Sequence, residues 1–342
     1  MALNLAAALR ERGHDAIAWS TEPLPRQARF WNAWLWQRRR LEAFLAENPP
    51  FDVIDLPAVS ISGHVRSHGR IVARSVQPDL RYFACALADE LRRGSLLHLA
   101  INLPQMIVLS AAILAGWRRA GVILCLGSHE SDWMRRKLPW TRRKLARYLD
   151  ALSPADQASL AELRARRAAT MAPRSGLRFL WIGRWVPQKG TRRLLRFITE
   201  RARARPEDTF TVAGCGDQAV RDCPPDLVAA GRLRLVPSFS RGELPQLLGE
   251  HDAGLFTSIV EGWGLSLNEM LESGMPVFAT RAGGVEDLAP CFPGTLLPFP
   301  PPTDFEIPRP PGDLAAGNYL RHFTWKSIAE SYEERVLARE MP

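Results

Sequence analysis

A chain of 342 residues outgrows a single hydrophobic core, which rarely extends past about 250–300 residues, so it reads as two domains. An apolar fraction of 46% with 24% charged residues excludes a globally disordered chain. The net charge of +9 favours anionic partners, among them phosphates, nucleic acid and an acidic membrane face. Five cysteines without a CxxC pair read as small buried hydrophobes rather than a disulfide framework or a zinc site.

Residues 2–12 carry apolar side chains at helical spacing and stop at Gly13. Met1 leads straight into that amphipathic pattern, so no signal peptide is read there. HDAIAWST (14–21) predicts a short strand, and FDVIDLPAV (51–59), GRIVARSV (69–76) and GVILCLGS (121–128) predict further ones. Short apolar segments separated by helical stretches indicate an α/β domain with a largely parallel sheet. The run MIVLSAAILAGW (106–117) is twelve residues long, short of the ~20 that span a bilayer, and predicts a buried helix. Between 133 and 149 stand seven Lys or Arg and no acid, with Trp133 and Trp140 among them. A solvated helix face accounts for that run, and so does a basic surface facing an anionic acceptor or an acidic bilayer. An Arg-rich helical stretch follows to 174, and APRSG (172–176) breaks it. The domain boundary is expected there, giving domains at 1–173 and 174–318 with a closing segment at 319–342.

The second half repeats strand, loop and helix more regularly. LRFLWIGR (177–184), FTVAGCG (210–216), RLRLVPSF (232–239), AGLFTS (253–258) and MPVFATR (275–281) read as strands. TRRLLRFITERARAR (191–205), ELPQLLGEH (243–251) and LSLNEMLES (265–273) read as helices. This is a second doubly wound domain, in which ligands bind beyond the carboxyl ends of the strands. The proline-rich stretch 293–311 fits neither a regular helix nor a central strand. A last helix is expected over 324–340.

Four strand ends carry residues suited to chemistry. In GRWVPQKG (183–190), Gly183 permits a tight turn, while Arg184 and Lys189 can reach an anion over the following helix N-terminus. Its spacing is neither that of a Walker A loop nor GxGxxG, and alone it also reads as a plain basic loop. AGCGDQ (213–218) allows close approach of a ligand at Gly214. SIVEGWGLSLNEML (258–271) sets Glu261 in a glycine-flanked loop and Glu269 in the next helix. Paired carboxylates suit a polyol such as a sugar or a ribose, although an ion pair and a helix cap would also account for them. ATRAGGVED (279–287) then offers a Gly-Gly nest for an anion.

These segments, in this order, resemble the retaining GT-B glycosyltransferases of the GT4 family, which use nucleotide-sugar donors. The resemblance covers about 177–290, and FTWKSIAESYEE (323–334) is similar to the family's C-terminal helix. It implies a GT-B architecture: two doubly wound Rossmann-like α/β domains facing across a cleft, the last helix packing back on the first. It implies that Arg184 and Lys189 hold the donor diphosphate, that Glu261 sits by the transferred sugar, and that Glu269 grips the ribose. Gly183, Gly214, Gly262, Trp263, Gly264 and Leu265 would line the donor site, with sugar choice turning on loop atoms around Trp263. No tightly bound cofactor and no obligatory divalent metal is expected. The implied partners are the nucleotide-sugar donor and a glycan or lipid-linked acceptor held by the N-terminal half. A cytoplasmic enzyme follows, and an acidic membrane face meeting 135–147 fits it.

The family opens with a strand and a glycine-rich loop, whereas this chain opens on what looks like the first helix. The family also often places a histidine at a mid-domain strand end, where this chain has Ser75, Val76 and Gln77. His64, His68, His98 and His129 do not fit that position, so no base is assigned in the first domain; Ser128 and Glu130 read as helix caps. A catalytically impaired nucleotide-sugar- or partner-binding protein on the same fold is the second reading. Nucleic-acid binding is set aside, since no helix-turn-helix, KH or zinc pattern accompanies the charge.

Overall fold

Parallel strand pairing runs through both halves of the chain in the computed structural model, which describes residues 1–20, 23, 32–170, 176–305 and 316–338. The chain divides into two compact units, Met1–Asp150 with Trp325–Pro342, and Ala151–Thr324.

The first unit holds a four-stranded parallel sheet ordered β1 (Phe51–Pro57), β2 (Gly69–Arg74), β3 (Val122–Leu126), β4 (Leu145–Tyr148). Its α-helices are α1 (Ala2–Glu11), α2 (Ala33–Ala46), α3 (Asp79–Arg92), α4 (Leu96–Arg119) and α5 (Gly127–Lys137). All five residues of β3, VILCL, are buried, the continuous apolar run expected of a strand covered on both faces. Leu45, Val65, Trp117, Ile123 and Met134 close the core around it.

Three sequence expectations fail in this unit. His14–Ser20 form no strand: Ile17 is exposed, and Trp19 stacks on Phe44 of α2 with ring centroids 4.8 Å apart. An alternating segment becomes a strand only when a neighbour pairs its backbone groups, and the sheet ends at β1. The basic run 133–149 is not one helix, because α5 stops at Lys137, a short turn covers Pro139–Thr141, and β4 follows. Proline has no amide to continue the helical ladder. The apolar run 106–117 lies in a helix twice that length, α4, which is largely uncovered: only 11% of its most apolar stretch is buried.

The second unit is built on a six-stranded parallel sheet. Its strands are β5 (Arg178–Ile182), β6 (Thr209–Ala213), β7 (Leu233–Val236), β8 (Ala253–Phe256), β9 (Val277–Ala279) and β10 (Leu296–Pro298). Their order, β10-β9-β8-β5-β6-β7, runs outward both ways from β5 and β8, the doubly wound arrangement. The α-helices are α6 (Pro154–Thr170), α7 (Thr191–Ala204), α8 (Ala219–Asp222), α9 (Pro225–Ala229), α10 (Leu244–Gly249), α11 (Leu265–Glu272), α12 (Val285–Leu288) and α13 (Ala316–His322). Phe179 stacks on Phe210 at 5.5 Å and meets Phe197 edge-on at 5.6 Å, fixing α7 against the sheet. Pro298 lies on the edge strand β10, where a missing amide costs least; 306–311 of the proline-rich stretch lie outside the described residues.

The units part at Asp150/Ala151 and at Thr324/Trp325, not at 173/174 and 318/319. The reason is arginine. Arg164 donates to the Glu272 carbonyl (2.7 Å), and Arg167 donates to those of Leu248 and His251 (2.7 Å each), so α6 caps the ends of α10 and α11. Tyr319 and Phe323 stack within the second unit, whereas α14 (Trp325–Tyr332) packs on α1 in the first. There Arg12 forks onto Glu333 (2.6 Å) and Glu330 (3.0 Å).

Candidate functional site

The loop 183–190 leaves β5 and is pressed onto the end of β8. Gln188 accepts from the amides of Ile259 (2.7 Å) and Val260 (3.2 Å), and Thr257 Oγ1 donates to the Lys189 carbonyl (2.8 Å). Trp181 Nε1 in turn donates to Thr257 Oγ1 at 3.0 Å, so the strand core orients the hydroxyl that orients the loop. Gly190 turns the chain into α7 with φ +70, and a Cβ there would lie 1.9 Å from the Thr257 carbonyl oxygen. Only glycine tolerates both the conformation and the approach.

That anchoring delivers Lys189 Nζ to Glu261 Oε2 as a short, partly buried ion pair, and Ser258 Oγ donates to the same oxygen at 3.1 Å. The Gly183 backbone lies along the Lys189 stem, 3.6 Å from a Cβ position to Cδ, and Gly214 lies against Gly183. On the other side Gly283, at φ +60, packs where a Cβ would meet the Trp263 carbonyl oxygen at 2.4 Å and Glu261 Cγ at 3.0 Å. Gly264 opens α11 with no side-chain cap, which leaves the amides of Leu265 and Ser266 without intrahelical acceptors. Lys189, Glu261, Gly183, Gly214 and Gly264 are thus gathered at the carboxyl ends of β5, β6 and β8.

Glu269 is placed differently. It is buried, and its partner is Arg241, which also binds Asp156 at 2.8 Å. Burial raises the Glu269 pKa above the ordinary carboxylate value, and the Arg241 guanidinium opposes that rise. Hydrogen bonding from Arg241 holds Asp156 low, so one cation ties the start of α6 to α11. Sequence reasoning missed Arg241. A signal was present: the capping box of Ser240 and Glu243 puts a cation in a first helical turn, where the helix dipole disfavours it unless an acid faces it.

Arg184 is exposed at the tip of the 183–190 loop, with no carboxylate paired to it among the described residues. The Trp263 ring is buried against Gly284 and Phe323, and its Nε1 donates to Asn268 Oδ1 at 3.1 Å. Asn268 Nδ2 reaches Glu272 (2.9 Å) and the Tyr319 hydroxyl (2.7 Å), and Glu272 is pushed up to about 7 by burial. The Trp263 ring therefore packs the loop against the body of the unit. Among the described residues no group of three or more His, Cys, Asp or Glu is arranged to hold a metal ion.

In the first unit, Glu130 is fully buried. It accepts from Ser75 Oγ and from the Leu126 amide (2.9 Å), capping its own helix α5, and burial raises its pKa to about 7. Its capping role is the one its sequence context suggested.

Residues 176–300, the stretch containing all these loops, match the family of glycosyl transferases group 1. Residues 176–300 are related to that family, and the fold of the chain is GT-B. The chain is 32% identical over 123 residues to the uncharacterized glycosyltransferase YqgM of Bacillus subtilis, a match spanning 34% of each chain, so about a third of that relative's length is covered. Its fold is similar to that of Anabaena HepE, solved with UDP and glucose, at a TM-score of 0.58 and 17% identity, covering 97% of this chain and 89% of that one. Sucrose-phosphate synthase from Thermosynechococcus elongatus gives 0.59 and 16%, covering 98% and 87%.

Proposed function

We propose that this GT-B chain transfers a sugar from a nucleotide diphospho-sugar to a glycan or lipid-linked acceptor held by the first unit, with retention of configuration. The observation that carries the reading is the pairing of Lys189 with Glu261 beside uncapped helix amides at one set of strand ends. A cation and free amides suit a diphosphate, and a carboxylate suits sugar hydroxyls.

In the reaction the bond from the anomeric carbon to the phosphate oxygen breaks while the acceptor oxygen bonds to that carbon. The acceptor's proton passes to the departing phosphate, so no side-chain base is needed in the first unit. Negative charge grows on the leaving oxygen, and Arg184, Lys189 and the Leu265 amide stabilise it more in the transition state than in the ground state. Glu261 receives sugar hydroxyls. Glu269 receives the ribose, the Arg241 guanidinium opposing the rise that burial imposes on its pKa. Gly183, Gly214, Gly262 and Gly264 let the donor approach backbone. The basic residues of 135–147 hold the enzyme to the acidic inner face of the cell membrane, where a lipid-linked acceptor would lie.

The test is thermal stabilisation by UDP-, GDP-, ADP- and TDP-sugars, starting with UDP-glucose because HepE binds UDP and glucose. One donor class is expected to raise Tm, and slow release of free sugar from that donor separates an enzyme from an impaired binding protein. A chain stabilised by none of them has a different function.

A further inference from the structure

Helix α4 leaves a wide apolar face open to solvent. Leu96, Leu97, Ile101, Leu103, Ile107 and Val108 are all exposed, Leu97 at 72% and Ile101 at 63%. At ~100° per residue these positions, with Ala100, Pro104 and Ala111, fill one arc of about 160°. Every apolar position in that arc from Leu96 to Ala111 is uncovered or only partly covered. The helix contains no Asp or Glu from end to end. Its far end is different: Ile113, Gly116 and Trp117 are buried in the unit, and α4 runs on into β3.

The charge at the base of the face says what covers it. Arg118 falls within the same arc and lies over the exposed Trp140 ring, 5.2 Å from its centroid. Lys144 donates to the carbonyls of Arg118 (2.8 Å) and Trp117 (3.4 Å), bringing the 133–149 run, seven cations and no acid, to the root of the apolar stripe. An apolar stripe flanked at one end by Arg, Lys and Trp suits a helix lying in the plane of an anionic interface, its apolar face toward the acyl chains and its cations at headgroup level. At the other end of the stripe, Arg93 binds Asp89 at 2.7 Å, and Asn102 reaches Glu90 at 3.4 Å. Those acids belong to α3 and lie off the stripe.

We propose that α4 is an interfacial membrane anchor whose Leu97–Ala111 face enters one leaflet of an anionic bilayer. By length and composition α4 would suffice to cross a membrane. The open part, Leu96–Ala111, is only ~24 Å long, against ~30 Å of hydrocarbon, and the remainder is held in the protein core. The helix therefore lies in the leaflet and does not span. The inference shares its lipid partner with the peripheral contact proposed for 135–147 and does not depend on glycosyl transfer.

The full chain is floated with vesicles of phosphatidylglycerol and phosphatidylcholine, and with phosphatidylcholine alone. Wild type is expected to bind the anionic vesicles. Ile101→Asp with Ile107→Asp is expected to weaken that binding at least about tenfold with the circular dichroism spectrum and Tm unchanged, since both side chains are exposed. Arg142→Glu with Arg143→Glu probes the charged surface separately. If the isoleucine variant binds like wild type while the arginine variant does not, the contact is electrostatic alone and the anchor is overturned, leaving the 135–147 reading in place. If wild type binds neither vesicle, both are overturned. A wild-type dimer that the isoleucine variant converts to monomer would assign the face to a second copy and overturn the lipid inference, as would protein that resists carbonate extraction as a spanning segment does.

Discussion

Lys189 and Glu261 meet as an ion pair although 72 positions separate them, because Thr257 and Gln188 clamp the loop after β5 onto the end of β8. Both side chains keep a little exposure, 15% for Lys189 and 11% for Glu261, so ligand oxygens can reach either charge. Lys189→Ala is expected to weaken nucleoside diphosphate binding by about 10–100-fold while leaving Tm within a few degrees. Isothermal titration with UDP checks it, and unchanged affinity would move the diphosphate elsewhere.

Arg241 and Glu269 give a prediction whose sign depends on pH. Arg241→Ala strips a buried carboxylate of its cation, so its folded pKa, already raised by burial, rises further. A raised folded pKa contributes stability below the unfolded value that disappears as pH climbs through the folded one. The variant should therefore lose on the order of 1–3 kcal/mol at pH 8 and much less at pH 4.5. Urea unfolding at the two values decides. An equal loss at both would mean that the arginine acts through packing alone.

Glu130 predicts a slope in the first unit. With a folded pKa of about 7, above its ordinary 4.5, its favourable contribution is complete below 4.5 and fades as pH rises through 7. Glu130→Gln stays neutral throughout, so it should flatten the stability decline between pH 5 and 8. Parallel slopes in wild type and variant would show that the carboxyl is ionised across that range.

Gly190→Ala tests the clamp itself. The added methyl meets the Thr257 carbonyl oxygen in a left-handed turn, and a loss of about 2–4 kcal/mol is expected together with weaker donor binding. Gly216→Ala is the control: it also has positive φ, but nothing lies within 4 Å of its Cβ position, so it should cost about 1 kcal/mol. Equal costs would leave only backbone strain.

The second unit was legible because its signals are local. Short apolar runs bounded by turn residues mark its strands, so LRFLWIGR, VAGCG and AGLFTS mark β5, β6 and β8 directly. Lys189 and Glu261 could each be named as candidate site residues from those loops, but their pairing came from the structure. The pairing of Arg241 could not be read either, since its partners Asp156 and Glu269 lie 85 and 28 positions away and the capping box beside it calls for an acid without saying which. The burial of the Trp263 ring was likewise invisible, because it depends on the space that Gly284, 21 positions away, leaves for it.

Residue order alone determined two parallel α/β halves, a basic loop after β5 and the acid in the loop after β8, because hydrophobic period and glycine placement act over a few residues. Tertiary structure decided the rest. Whether 14–20 becomes a strand depends on a sheet edge to receive it, where α6 belongs depends on carbonyls its arginines find, and whether α4 is core or surface depends on what else covers it. Apolar composition states how much free energy burial would release; only the packed neighbours determine whether the protein itself provides that burial.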